Sequence, residues 1–137
     1  RDYPFFQGTK DEQRVAMPLS LMRINTQTGD REDIFISDAV NRRGQSVIVN
    51  HKTGAVFATY YHSNNVIVRK ADGNVTHLDG GALGLTLIRG VTDIPGTPYV
   101  AIAGMHEGMA IVDARSMEKV AHFNERLFSA IHISAMA

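Results

Sequence analysis

Residues 54–78 read GAVFATYYHSNNVIVRKADGNVTHL, and this stretch decides the fold. Three short runs, 56–61, 66–70 and 75–78, are rich in Val, Ile, Phe, Tyr and Thr. Such side chains suit a pleated, half-buried surface. An Asn-containing turn follows the first run and Asp72-Gly73-Asn74 follows the second; these residue types accept or impose tight-turn backbone. No apolar stripe at helical spacing runs through the window, so a helix would have no face to bury. The stretch predicts three consecutive strands joined by hairpins.

The same order of strand, polar turn, strand, turn, strand returns in residues 98–123, PYVAIAGMHEGMAIVDARSMEKVAHF. Residues 19–35, LSLMRINTQTGDREDIF, match its latter part. The period is 44 residues: Ile24, Val68 and Val112 share one place, and Asn25, Arg69 and Asp113 the next. Gly29 and Gly73 occupy the following turn, with Met117 in the third copy. Val56 matches Val100, His62 matches His106 and Leu87 matches Ile131, a register that needs no gap. Strands are expected at 19–25, 34–37, 46–50, 56–61, 66–70, 75–78, 85–89, 99–104, 109–113 and 119–123. A period of about 40–45 residues with four strands per copy is the signature of propeller blades. The expected fold is therefore all-β, with β-propeller blades of four antiparallel strands. The 137 residues amount to about three blades and an incomplete ring, because propellers use about four to eight. Blade parts fall at about 1–40, 41–83 and 84–126, with the start of a further blade at 127–137. The chain then reads as a segment of a longer propeller, or as one that completes a ring with other copies.

The two long copies and the partial one resemble the repeat of YVTN-type β-propellers over about residues 15–125. That template has a strand, a short Asn- or Gly-containing turn, a second strand ending in Asp, a Thr-Gly or Asp-Gly turn and a final strand. Asp113 stands at the acidic place; Arg69 departs from it, and the third copy lacks the turn glycine. The resemblance extends to the propeller heavy chains of quinoprotein amine dehydrogenases. It implies an extracytoplasmic, periplasmic or secreted, location.

Composition narrows the function classes. Fourteen Lys and Arg balance fourteen Asp and Glu, for a formal net charge of zero. A neutral chain lacks the cationic surface from which nonspecific nucleic-acid affinity comes. With 44% apolar residues the chain is not of the disordered type. The absence of Cys excludes disulfides, thiolate zinc and iron–sulfur ligation. No apolar run approaches the roughly 20 residues of a membrane-spanning helix. Phosphate-binding glycine loops, nucleophile elbows and H-E-x-x-H spacing are all missing.

The candidate ligand-binding residues come from the turns and the expected inner strand. His62 and His106 share a repeat place in the turn between second and third strands, beside Asn64 and Glu107 respectively. His132, in Ile131-His132-Ile133, alternates away from its apolar neighbours and points to a propeller channel. Met105 and Met109 flank His106 and offer soft ligands; the identity of any metal is left open, and no cofactor is expected. His77 and His122 are expected on the solvated outer strand. The functional expectation is a binding or scaffold module whose partners are other protein chains or further blades, with no catalysis by this chain alone. A non-catalytic propeller subunit of an extracytoplasmic oxidoreductase is the alternative that the resemblance implies.

Overall fold

The computed structural model describes residues 20–36, 44–106, 108–124 and 133–136. The chain divides into two compact units, Arg1–Arg42 and Arg43–Ala137. In the first, β1 (Ser20–Ile24) and β2 (Arg31–Ile36) form an antiparallel hairpin. Its turn is closed by Asn25, whose Oδ1 accepts from the N–H of Gln27 at 2.9 Å, while Gly29 adopts φ 78°.

The second unit contains two four-stranded antiparallel meanders. The first sheet is β3 (Gly44–Asn50), β4 (Ala55–Tyr60), β5 (Asn65–Arg69) and β6 (Val75–Asp79), each strand paired with the next. The second is β7 (Gly90–Asp93), β8 (Tyr99–Ala103), β9 (Met109–Asp113) and β10 (Lys119–Phe123), in the same order. The chain is thus all-β, and every expected strand from 46 onward is found within a few residues except one.

That exception is 85–89. Leu85 and Ile88 are almost fully buried, yet they lie in the connector between the sheets, and the strand itself is Gly90–Asp93. The connector begins with one helical turn, α1 (Gly80–Leu83). Asp79 caps it by accepting from the N–H of Ala82, and Gly84 ends it at φ 78°, a left-handed conformation that glycine takes without Cβ strain. Leu87 sits at φ 51°, which a strand cannot accommodate. The apolar residues therefore plug the core from an irregular segment, which composition alone does not distinguish from a short buried strand.

One core joins the two sheets. Ala55, Phe57, Val66, Val68 and Leu78 of the first meet Val91, Val100, Ile102, Ala110 and Val112 of the second, with Leu83, Leu85 and Ile88 of the connector. The first strands, β3 and β7, are neighbours, so the edge of each sheet is covered by the other. Two buried polar side chains fasten β7. Thr59 Oγ1 donates to Arg89 O at 2.8 Å just before the strand, and Asn50 Nδ2 donates to Asp93 Oδ1 at 2.5 Å at its end. Asn50 Nδ2 also reaches Thr97 O at 3.0 Å, and its Oδ1 accepts from the N–H and Oγ1 of Thr53. A fully buried amide thus has partners for both donor and acceptor.

Strand pairing places a one-residue slip in the 44-residue register. In the first sheet Phe57 pairs with Val68; in the second, Ala101 pairs with Ile111 and Val100 with Val112. The last hairpins correspond at 44 for Val66–Leu78 and Ala110–His122, until a bulge between Lys119 and Ala121 pairs Lys119 with Val112, one residue off the Val75–Arg69 pairing of the first sheet. Side chains alternate across a strand, so a one-residue slip exchanges faces. Phe57 accordingly lies in the shared core while Ala101, 44 residues on, does not. The last turn of each copy does recur: Gly29, Gly73 and Met117, spaced by 44, have φ 78°, 92° and 65°.

Candidate functional site

At one end of the sheet pair, three segments converge: the β4–β5 turn (61–64), the connector (80–89) and the β8–β9 turn (104–108). Asn64 organises them. It takes φ 51°, a left-handed value that Asn accepts more readily than most residues. Its Nδ2 donates to Leu85 O at 2.8 Å, its Oδ1 accepts from Ile88 N at 3.2 Å, and its carbonyl accepts from Gly80 N at 2.8 Å. On the other side, Met105 N donates to Thr86 O at 3.0 Å and Arg89 N to Ala103 O at 3.0 Å. The connector is held between the two turns by hydrogen bonds from both.

The side chains displayed here are aromatic and cationic. The Arg89 guanidinium lies over the Tyr61 ring, 4.3 Å from its centroid, an attraction between a cation and a negative ring face. His62 meets the same ring edge-to-face, with centroids 4.7 Å apart. His62 is exposed at the turn, and His106 is exposed in the other turn. The sequence expectation that these turns share an end with the connector near Gly80-Gly81 is met by the hydrogen bonding of Asn64 and Met105.

The five candidate residues fare differently. Asn64 does not offer a free amide, because both polar atoms of its side chain hold the connector. His62 and His106 are placed on turns that flank the connector, while Glu107 and His132 lie outside the described residues. Among the described residues, no group of three or more His, Asp or Glu is placed to hold a metal ion. His77 is exposed, as expected, and lies 3.1 Å from Asn65 Nδ2 through its Nδ1. His122 is not on a solvated face: it is half-buried on the core side of β10, with its ring against Gly84.

Of the side chains at this end, Arg89 was the least visible in the sequence. It sat inside an expected strand, where a single cation carries no motif. Its signal lies in position, next to Gly90 at the start of β7 and opposite an aromatic turn.

At the opposite end, Asp113 closes the β9–β10 turn. Its Oδ1 accepts from Arg115 N at 2.9 Å and Nε at 3.0 Å, and its Oδ2 from Nη2 at 2.6 Å. The side-chain and backbone hydrogen bonds from Arg115 hold the carboxyl down at about 2, and Asp113 in turn raises the Arg115 guanidinium. Asn25 makes the equivalent bond to Gln27 N two residues on. Arg69, at the same repeat place, has no acceptor in its side chain; Asp72 accepts from Asn74 N at 2.9 Å, as Thr28 Oγ1 accepts from Asp30 N and Ser116 Oγ from Glu118 N at the same place of the other two copies.

Comparison of the chain with protein-family models, with curated proteins and with solved structures found no match. Among the described residues, no helix is long and apolar enough to cross a membrane.

Proposed function

We propose that the chain is a β-propeller binding or scaffold module, built of stacked four-stranded blades and engaged in protein–protein interaction through the addition of further sheets. The observation that carries this reading is the apolar character of the outer sheet faces. In the first sheet Ile48 packs on the shared core, so Val47 and Val49 alternate to the opposite face, where they are 54% and 43% exposed. In the second sheet Met109 and Ile111 pair with Phe123 and Ala121 on the face turned from the core, and Phe123 is 52% exposed. These are the same residue types that pack sheet on sheet in between. Exposed apolar patches rimmed by polar residues mark interaction surfaces, and a blade in a propeller buries both faces against neighbours. The YVTN-type repeat pattern supports the same stacking and rests on the residues quoted above.

Sedimentation velocity across a range of protein concentrations tests it. Concentration-dependent association is expected for the wild type and is expected to weaken in Ile111→Glu and in Val47→Lys, which place charge on either outer face. A wild type that stays monomeric throughout, with both variants indistinguishable from it, would overturn the reading.

A further inference from the structure

We infer that Asn74 is an acceptor site for an N-linked glycan, presented at the tip of the β5–β6 turn. Asn74-Val75-Thr76 has the acceptor pattern, an amide followed two residues on by a hydroxyl, and no other Asn of the sequence has Ser or Thr at that place. A bulky, hydrated sugar chain fits only where the asparagine and its neighbours lie open to water. The turn supplies that setting: residues 71–75 are all exposed, with Val75 at 43%. Gly73 adopts φ 92° and donates to Lys70 O at 3.0 Å, so the turn is tight. The Asn74 backbone is fixed in it, donating to Asp72 Oδ1 at 2.9 Å and accepting from Lys70 N at 2.8 Å. Its side chain bonds only to that of Asp72, Nδ2 donating to Oδ2 at 2.9 Å. Asn50 and Asn64, by contrast, use both polar atoms of their side chains inside the fold.

The co-reactant is a sugar joined through its anomeric carbon to a lipid pyrophosphate. Asn74 Nδ2 forms an N–C bond to that carbon while the C–O bond to the pyrophosphate breaks. The lipid pyrophosphate leaves with the electron pair, and the amide gives up one proton to a base of the transferase. One N–H remains on Nδ2, so the exposed bond to Asp72 survives the transfer. Among the described residues β6 pairs with β5 alone, and of its five residues only Leu78 is buried in the core, so the segment that bears the acceptor lies at the margin of the fold. N-linked transfer takes place on the extracytoplasmic side of a membrane, the location that the YVTN-type resemblance implies. The site is independent of how further sheets stack, since Val47 and Val49 of the outer face are on β3, at the other edge of the same sheet.

The test exports the full chain, behind a cleavable signal, from cells whose secretory route contains the transferase, and reads its intact mass. The wild type is expected to be heavier than its sequence by a whole number of sugar residues, and peptide N-glycosidase is expected to remove the increment. Asn74→Gln and Thr76→Val are expected at their sequence mass, while Thr76→Ser, which keeps the hydroxyl, retains the increment. All three changes fall on exposed or half-buried side chains, so the fold is expected to be kept, and far-UV circular dichroism checks it. Chain held back in the cells is weighed in the same way. A wild type at its sequence mass in both fractions, or an increment that persists in Asn74→Gln, would overturn the inference. Neither readout depends on association between chains.

Discussion

Asp113 shows how a single turn residue ties stability to pH. Its carboxylate accepts from three N–H groups of Arg115, which lowers it from the ordinary 3.8 to about 2. A carboxyl depressed in the folded state stabilises that state once it is ionised. The contribution is fully present above about pH 4 and fades as pH falls through the window from 3.8 towards 2. Urea unfolding of wild type and Asp113→Asn between pH 7 and pH 2 is the measurement. Asp113→Asn is expected to be the less stable protein at neutral pH, with the difference shrinking only within that acid window. A difference that is constant down to pH 2 would mean that the ionised state of Asp113 contributes nothing. The acidic place in the repeat was legible in the sequence because Asx-type turn closure leaves a residue-type signature. The bonds at the place three residues on were not, since Thr28, Asp72 and Ser116 accept there from Asp30 N, Asn74 N and Glu118 N without sharing a residue type.

The connector is the element where packing and polar bonding constrain each other most closely. A Cβ added to Gly80 would fall 2.5 Å from Asn64 Nδ2, inside any tolerable contact. Gly80→Ala therefore forces out the amide that holds Leu85 O and Ile88 N. Asn64→Gly keeps the left-handed backbone without strain but removes both bonds, at a cost of about 1–3 kcal/mol for the groups left unsatisfied. The two changes are expected to be non-additive: Gly80→Ala should be clearly destabilising in the wild type and nearly neutral in the Asn64→Gly background, because the clashing atoms are gone. A double-mutant cycle by urea unfolding reads this directly, and additive costs would show that the two residues act separately. Nothing in the sequence foretold the pairing. The strand positions were legible from β-branched runs and turn residues, since those signals are local. The mistaken strand at 85–89 and the unseen role of Asn64 have one cause, an irregular segment whose residues are chosen by contacts from two other turns. For the same reason His62 and His106 could be placed on one end from their repeat place, while the stacking of Arg89 on Tyr61 could not be foreseen.

At the scale of the second unit, the two sheets do not have separate interiors. Phe57, Val66 and Val68 bury themselves against Val100, Ile102 and Val112, and Leu85 and Ile88 fill the same space from the connector. Asn50 and Thr59 then lock β7 to the first sheet at both of its ends. A four-stranded sheet that was stable alone would need none of this, so the two sheets are expected to open as one cooperative unit. Truncating Phe57, fully buried in the first sheet, should cost about 3–5 kcal/mol through lost burial and the cavity left behind. If the core is shared, hydrogen-exchange protection in Phe57→Ala should fall by the same factor for the amides of β8 and β9 as for those of β4 and β5, although no residue of the second sheet has been changed. Loss confined to β3–β6, with β7–β10 protected as in the wild type, would show instead that each four-stranded sheet is its own folding unit. The slip of one residue between the two copies makes the shared outcome the physical expectation. By turning Ala101 away from the core, it makes the second sheet reach the shared interior through Val100 and Ile102, where the first sheet places Phe57. The second sheet then depends on the interior that it shares with the first.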